Sequence, residues 1–436
     1  MSSSAARPLV LLILLAGAAA GQTPAPPPGV PVIDLPQALR NARQFGGQVQ
    51  SANLSLSQAT QDRVQARAAT RPQANALSQY IYTQGNGTPS GTFVSNDGVH
   101  VYNDQGLVHQ DVLPLIRHGE QQRAAAAEAV ARAKVDVASR GVNAVVIQNY
   151  YAFADAARKL DNATLSVSEA RQFLDITQKQ EAGGEVAHAD VVKAQIQLQQ
   201  RQIDLNEAQT TLAKAKISLA ALIFPDVQTD YQIKDDLDQT DALPPLPEAR
   251  AQAVVANPDV KAASLTVDET GYDVDVARYG YLPTIGLDFF YGLNSNEFAF
   301  HDRDGNRNVG AAAQVTVNIP VWNWGATKSK VKQAELRQDQ ARLELSLAQR
   351  QLQAGLATAH AEAEGALGQV SLLREGVDFA ADSLRLTLLR YQAGESTAFE
   401  VADAQSTVRL ARDAYDDGLA RYRVAMANLR TLMGTL

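Results

Sequence analysis

Residues 388–405, LLRYQAGESTAFEVADAQ, form a glycine-containing turn between two long helical patterns. Two carboxylates, Glu400 and Asp403, follow the turn at a spacing of three residues, which places them on the same face of a helix. Like charges at this spacing repel each other, and the sequence offers no nearby lysine or arginine to pair with them. The acid pair therefore either has a function beyond its own helix or forms only a solvated helix face.

The turn has a counterpart in the first half of the chain, which indicates an internal duplication. Gly184 corresponds to Gly394 at an offset of 210 residues. Near the start of each half, LPQALRNARQFGGQVQSANL from Leu35 matches LPEARAQAVVANPDVKAASL from Leu246. The chain is therefore predicted to contain the same structural unit twice.

Each unit is predicted to run in the order helix, strand, loop, strand, long helix, hairpin, helix. We place repeat 1 at residues 35–224 and repeat 2 at residues 246–436. Between them lies a Pro-containing linker at 225–245, which contains six aspartates and one lysine. We interpret this linker as a solvated connector.

The helical patterns are long and regular. Each repeat opens with a helix of about 35 residues, near 35–70 and 246–280. After the two strands comes a longer helix, near 115–181 and 325–392. At 1.5 Å per residue, a helix of ~67 residues spans ~100 Å. After each turn an apolar residue recurs every seven positions, which predicts a left-handed coiled coil. These residues are Val191, Leu198, Leu205, Leu212 and Leu219, and then Val401, Val408, Tyr415, Tyr422 and Leu429.

Two runs in repeat 2, at 284–293 and 311–319, alternate between apolar and mostly polar residues. A length of about ten residues with this alternation fits a tilted outer-membrane strand, although a half-buried soluble hairpin has the same period. In repeat 1 the alternation on either side of a polar loop near 85–98 is patchy. His109 and Asp111 fall there at positions where apolar residues are expected.

The N-terminus has the pattern of a secretory signal peptide at residues 1–21, with Arg7, an apolar core and a small-residue cleavage site. A short linker at 22–34 follows. The chain has no cysteine, so we expect no disulfide, no thiolate metal site and no lipid anchor on an N-terminal cysteine. The net charge of -8 gives no electrostatic support for a nucleic-acid partner. The six histidines lack metal-ligand spacing, and no cofactor is expected.

The duplicated order of elements resembles the TolC-like outer-membrane efflux proteins, which serve tripartite efflux or type I secretion systems. Two segments carry the resemblance most specifically: PVWNWGATKSKV at 320–331, at the exit from strand into long helix, and the turn at 388–405. The resemblance implies a mainly α protein with a transmembrane β-barrel: a homotrimer sharing twelve strands, four from each chain, above a periplasmic coiled-coil tunnel. It also implies contact with outer-membrane lipid, a periplasmic adaptor and an inner-membrane pump.

The same resemblance assigns roles to residues at the two hairpin tips. It implies that Glu400, Asp403 and Asp190 ring the constriction at the periplasmic mouth of the tunnel. Tyr391 matches a tyrosine that holds the closed state, whereas the accompanying arginine is replaced here by Ser396. A further set is implied to form the tips where an adaptor docks, with its glycines acting as turn formers: Gly183, Gly184, Gly394 and Glu395.

Three other functions stay open at this point. A periplasmic adaptor also carries coiled-coil hairpins, but it has one hairpin among β-rich domains instead of two in a duplicated chain. A purely structural coiled-coil protein of the envelope would lack the strand pairs. A hydrolase could use paired carboxylates, but Glu400 and Asp403 lie on a predicted coiled coil without a sign of a pocket. We therefore expect a channel that is not an enzyme.

Overall fold

The computed structural model describes residues 31–83, 99–239 and 241–435. The predicted signal peptide, most of the N-terminal linker and the polar loop near 85–98 lie outside the described residues. Apart from the short helix α3, the helices and long strands follow the same order in both halves. The first half contains α1 Leu35–Phe45, α2 Gly47–Ala68, β2 Gln73–Thr83, β3 Val99–Asp111, α3 Leu113–Ile116, α4 Gly119–Ala182 and α5 His188–Ile223. The second contains α6 Leu246–Ala256, α7 Pro258–Tyr279, β5 Thr284–Ser295, β6 Val309–Asn318, α8 Ala326–Gln392 and α9 Ala398–Met433. Two short strands, β1 Val32–Ile33 and β4 Gln232–Ile233, flank the first half.

The opening helix of each half is broken, so the prediction of a single helix there was wrong. Gly46 and Asn257 both have extended backbone, with ψ of 117° and 121°. Asn257 precedes Pro258, which disfavours the helical region for the residue before it, and its side chain then caps α7. At Gly46 the carbonyl of Ala42 lies only 2.4 Å from where a Cβ would stand, so the break requires glycine.

The two long helices form antiparallel hairpins with the helices that follow them. α4 has 64 residues and packs along α5, and α8 has 67 residues and packs along α9. α4 begins at Gly119, a few residues later than predicted, because the residues before it form the separate short helix α3. α4 also contacts α7 and α9, so it joins the two halves of the chain.

The heptad seam is only partly covered within one chain. Six of its ten residues are buried: Val191, Leu219, Val401, Val408, Tyr422 and Leu429. The other four, Leu198, Leu205, Leu212 and Tyr415, are half-buried. Burial of the heptad positions is thus confirmed at six of the ten, the left-handed coiled coil stays a prediction, and the middle of α5 retains apolar surface that this chain does not cover.

The four long strands form one antiparallel sheet in the order β2-β3-β5-β6, with β2 and β6 at its edges. The register pairs Val108 with Phe289 on one face and His109 with Asp288 on the other. His109 Nδ1 lies 2.6 Å from an Asp288 carboxylate oxygen, and Asp111 lies on the same polar face. The expectation of apolar residues at His109 and Asp111 was therefore wrong, because these side chains belong to the polar face.

The linker between the halves is packed against the helices, which corrects its interpretation as a solvated connector. Tyr231 and Leu237 are completely buried, and β4 pairs with β1 in parallel. The guanidinium of Arg158 on α4 lies 2.6 Å from Asp235 and 2.7 Å from Asp238. On α9, Arg423 lies 2.8 Å from Asp236. The aspartates thus bind arginines of both halves instead of facing only solvent.

Replacing Arg158 with methionine should loosen this linker. The change keeps the aliphatic stem but removes the ion pairs, and it leaves the buried Asp416, 3.4 Å from the guanidinium, without its cation. We expect the local free energy of unfolding to fall by about 2 kcal/mol. This figure allows for solvent screening, because two of the aspartate partners are partly exposed. Hydrogen exchange at residues 231–238 measures it.

A matched control is Lys179→Met, which breaks an exposed i,i+4 pair with Asp175 and should cost at most ~0.5 kcal/mol. Unchanged hydrogen exchange in the linker of the Arg158→Met variant would contradict the role given to the aspartates.

Candidate functional site

The two hairpin tips have the same backbone geometry. Gly184 and Gly394 both have φ of +76°, the left-handed conformation that ends a helix. Glu185 N–H donates to the Gln180 carbonyl at 2.8 Å, and Glu395 N–H donates to the Arg390 carbonyl at 2.8 Å. Both turns are therefore Schellman motifs, and the predicted correspondence of the two glycines is confirmed.

Gly183 does not have the left-handed backbone conformation for which a turn needs glycine. Its φ is -78°, in the right-handed helical region, and the corresponding residue of the second tip is Ala393 with φ of -84°. Glycine is not required at this position. Its predicted role as a turn former was wrong, and Gly184 alone supplies the left-handed residue at the first tip.

Alanine substitutions should separate these glycines by their backbone conformation. Gly184→Ala and Gly394→Ala should each cost about 1 kcal/mol, because a Cβ is strained at positive φ even where the surrounding space is open. Gly183→Ala is the matched control, and it should be neutral or stabilising by ~0.5 kcal/mol. Denaturant midpoints of the three variants measure the difference. Equal losses at Gly183 and Gly184 would contradict the assignment.

The acid pair lies on the exposed surface of the first turns of α9. Glu400 and Asp403 are both exposed. The Thr397 side chain caps the helix by accepting from the Glu400 N–H at 3.3 Å. The Ser396 hydroxyl donates to the Glu400 carboxylate, and this hydrogen bond holds the pKa of Glu400 below its usual range. Glu400 therefore stays ionised at mildly acidic pH.

Tyr391 lies in the small apolar core that joins the hairpins behind their tips. It is only 2% exposed, and its ring packs edge-on against Phe173 with centroids 5.2 Å apart. Its hydroxyl donates to Thr177 Oγ1 at 3.4 Å. Ala194 of α5 and Ala398 and Val401 of α9 complete the buried cluster, so Tyr391 links the first hairpin to the second.

The predicted gate residues are close in the fold, but each has its own partner. Asp190 lies 3.3 Å from Lys193, one turn further along α5. Burial raises the pKa of the Tyr391 hydroxyl, and the charge of Asp190 adds to this rise. Ser396 bonds to Glu400, as described above, and not to Asp190 or Tyr391. Among the described residues, therefore, the structure brings these groups to one tip region without joining them in a single network.

A ladder of polar contacts between α4 and α9 was not predicted from the sequence. Arg412 lies 3.1 Å from Glu169, and the Gln405 side chain donates to the Glu169 carbonyl at 3.3 Å. Further along, Asn162 donates to Asp416 at 2.8 Å and Lys159 lies 2.6 Å from Asp417. Glu169 and Asn162 are seven residues apart, as are Gln405 and Arg412. A search for polar residues at heptad spacing on both helices could have found this ladder.

In the described part of the chain, no helix is both long enough and apolar enough to span a membrane. The same residues contain no group of three or more histidine or acidic side chains arranged to hold a metal ion.

Comparison of the sequence with known families and proteins finds one matching family model and one curated relative, each of which covers part of the chain. Residues 249–435 match the family model described as "Outer membrane efflux protein". "Protein CyaE" of Bordetella pertussis is 27% identical over 200 residues. This match covers 43% of this chain and 41% of that protein, so the chain spans less than half the length of this curated relative.

Solved structures match nearly the whole chain in fold. The CmeC outer membrane channel of Campylobacter jejuni superposes with a TM-score of 0.81 at 14% identity, covering 92% of this chain and 85% of CmeC. The outer membrane protein VceC of Vibrio cholerae gives 0.80 at 16% identity, with 92% and 96% covered. The open state of the MtrE outer membrane channel of Neisseria gonorrhoeae gives 0.76 at 19% identity, with 92% and 88% covered. The fold of this chain is therefore that of these outer-membrane proteins.

Proposed function

We propose that this chain, a TolC-like member of the outer membrane efflux protein family, is the outer-membrane exit duct of an export system and works as a homotrimer. The observation that carries the proposal is an open four-stranded sheet placed at one end of two helical hairpins, each with one helix about 100 Å long. In a single chain the sheet keeps two unpaired edges, and the hairpins keep exposed apolar side chains.

The sheet has the two faces that a membrane-spanning barrel requires. Leu287, Phe289 and Tyr291 of β5 are exposed on one face, next to Val315 of β6. The opposite face carries polar groups such as Asp288 and Gln314, which are paired in the register. An open edge in lipid would leave backbone groups unpaired, so β2 and β6 need strands from other copies. Three copies would supply twelve strands and close the sheet.

The helices also leave apolar surface that a neighbouring copy can cover. Among the exposed apolar residues are Leu54 on α2, Ile203 on α5, and Leu343 and Phe379 on α8. Large uncovered apolar surface marks interaction sites on a soluble part of a protein. Packing α2 and α5 of one chain against α8 of the next would bury it and would enclose a tunnel.

At the far end of the tunnel, the hairpin tips form the proposed periplasmic mouth. Three copies of Glu400 and Asp403 would make two stacked acidic rings, with Asp190 of the first hairpin nearby. Such rings attract cations and repel anions. The exposed tip around Gly184, Gly394 and Glu395 is the proposed docking surface for a periplasmic adaptor, which would connect the duct to an inner-membrane pump. The exported cargo, small molecules or polypeptides, would be selected by that pump.

Cell fractionation and mass measurement test this function. The mature protein should fractionate with outer membranes, and its mass in mild detergent should be that of three chains. In planar bilayers the purified protein should conduct ions. Recovery of the protein as a soluble monomer from the periplasm would contradict the proposal.

A further inference from the structure

The polar face of the sheet carries its ionisable side chains in a single place. The register of the four long strands puts every second residue of β2, β3, β5 and β6 on this face. Of the residues that these described strands place there, only His109, Asp111 and Asp288 are ionisable. The other positions hold amides, hydroxyls, glycines or apolar groups. The charge of the whole face is therefore set by three side chains.

These three side chains meet across the boundary between the two repeats. His109 lies on β3 of the first repeat, and Asp288 lies opposite it on β5 of the second. The Nδ1 atom of His109 is 2.6 Å from Asp288 Oδ1, and its Nε2 atom is 3.5 Å from Asp111 Oδ1. At Gly286, the next residue of β5 on this face, a Cβ would stand 3.4 Å from Cε1 of the ring. The imidazole therefore lies between two carboxylates, beside a position that carries no side chain.

The remaining neighbours of this imidazole in the described sheet are neutral. Gln73 of β2 is opposite His109, and Gln314 of β6 is opposite Asp288. The charged groups that face the ring are thus Asp111 on its own strand and Asp288 on the next. Imidazole is the side chain whose charge ordinarily changes between pH 5 and 8. Protonation of one ring therefore changes the charge of the polar face within that range.

The cluster lies at the end of the sheet where the helices begin. β3 ends at Asp111, and β5 begins at Thr284, four residues before Asp288. At ~3.4 Å per residue, the cluster lies within about 14 Å of the helical part. In the proposed barrel the apolar face contacts lipid, so the polar face lines the lumen. Three copies would place nine ionisable groups around the lumen, close to its passage into the tunnel.

We propose that His109, Asp111 and Asp288 form a second selectivity ring in the barrel lumen, and that the protonation of His109 sets the charge of this ring. The inference rests on the proposed trimeric channel. With the carboxylates ionised, each chain contributes one net negative charge when the imidazole is protonated and two when it is neutral. The ring should therefore attract cations more strongly, and repel anions more strongly, as the pH rises.

The width of the lumen decides how large this effect is. Twelve strands spaced ~4.8 Å apart and tilted by ~45° give a backbone radius of about 13 Å. The Debye length is ~30 Å at 0.01 M salt but only ~3 Å at 1 M. Three additional charges at this radius should raise the partitioning of cations into the lumen about threefold at 0.01 M and hardly at all at 1 M. Loss of the effect at high salt therefore identifies charges on a wide lumen.

Reversal potentials in planar bilayers test the ring. The full-length protein is measured in a KCl gradient near ~0.01 M, between pH 5 and 8, with the mouth neutralised as Glu400→Gln with Asp403→Asn so that the mouth does not mask the lumen. We expect the preference for cations to rise about threefold with pH in this background. His109→Gln, added to it, should abolish the rise, because an amide does not titrate. A preference that is independent of pH in the background itself would overturn the ring.

Two other histidines serve as controls. His301, in the loop between β5 and β6, lies at the opposite end of the sheet, so His301→Gln should leave the dependence on pH unchanged. His188 at the first hairpin tip is the rival source, because its Nδ1 atom lies 2.7 Å from Glu181 and the tip lies near the proposed mouth. If His188→Gln removed the dependence on pH while His109→Gln kept it, the ring would be wrong.

Thiol labelling separates failure of the ring from failure of the channel. The chain has no cysteine, so Gln314→Cys on the polar face and Val315→Cys on the apolar face each supply a single thiol. A cationic, water-soluble methanethiosulfonate should react with the Gln314→Cys variant and lower its preference for cations. If it does so while the dependence on pH survives His109→Gln, the ring is wrong and the channel stands. Reaction of the Val315→Cys variant instead would put the polar face outside the lumen and overturn the ring. If no variant conducts, the proposed channel itself fails.

Discussion

Neutralising the acid pair behind the second tip, as Glu400→Gln with Asp403→Asn, should remove most of the channel's preference for cations. In a trimer six carboxylates would share the narrow mouth. At ~8 Å, one pair repels by about 0.5 kcal/mol in bulk water and ~2 kcal/mol at an effective dielectric of 20. A cation that enters the ring relieves this repulsion. We therefore expect block by trivalent cations to weaken at least tenfold in the double variant.

The measurement is single-channel conductance and reversal potential in planar bilayers. Asp382→Asn is a suitable control, because Asp382 is an exposed carboxylate 2.7 Å from Arg385 and lies ~18 Å along α8 from the tip. That distance exceeds the Debye length of ~8 Å at physiological salt, so the cation selectivity of the Asp382→Asn variant should not change.

Because the pKa of Glu400 is lowered, its carboxylate is ionised above that lowered pKa. The contribution of Glu400 to cation selectivity should therefore persist at mildly acidic pH. Unchanged selectivity and block in the double variant would show that the acids only face solvent.

Truncating Tyr391 should have the largest effect on the hairpin tips. Tyr391→Ala removes a buried ring from between the hairpins and should cost ~3–5 kcal/mol locally if the site cannot collapse. The tips should then separate more readily and the channel should leak. Tyr391→Phe removes only the hydroxyl that bonds to Thr177, and it should cost about 1 kcal/mol.

Hydrogen exchange near Thr177 and Val401, together with the open-channel fraction in bilayers, measures this loosening. We expect faster exchange and a larger open fraction in Tyr391→Ala than in Tyr391→Phe. If Tyr391→Ala exchanged and conducted like the unmodified protein, the tyrosine would not hold the tips together.

Much of the fold could be predicted because its signals are local and repeated. The left-handed residue at each tip is a glycine, and the apolar residues that follow recur every seven positions. The turns and the helices after them can therefore be predicted from short stretches of sequence. The breaks at Gly46 and Asn257 were missed because the helix prediction followed the apolar period and not the breaker dipeptides Gly46-Gly47 and Asn257-Pro258. A single extended residue leaves almost no trace in periodicity.

The linker shows why long-range pairing is harder to predict. Its aspartates have the composition of a solvated loop, and nothing near them in the sequence suggests otherwise. Their partners, Arg158 and Arg423, lie about 80 and 190 residues away along the chain. Only the fold brings these charges together. Similarly, the register that places His109 opposite Asp288 depends on a pairing between strands of different repeats.

At the candidate site, the sequence predicted the exposed acids better than the buried contacts. The exposure of Glu400 and Asp403 follows from a polar helix face next to a turn. The contact of Tyr391 with Thr177 spans 214 residues and depends on how α4 packs beside the second hairpin. The roles of the acids and of Tyr391 in closing the mouth stay predictions until the variants above are measured.

Covalent cross-linking of the two sheet edges tests the trimeric channel most directly. The chain has no cysteine, so Ala76→Cys on β2 and Ala313→Cys on β6 would be the only thiols. Within one chain these edges are three strand spacings, ~14 Å, apart, too far for a short bifunctional thiol reagent. A barrel shared by three chains predicts linked dimers and trimers in outer membranes from the double variant, and none above dimer from either single variant. A product that remains entirely monomeric would contradict the shared barrel.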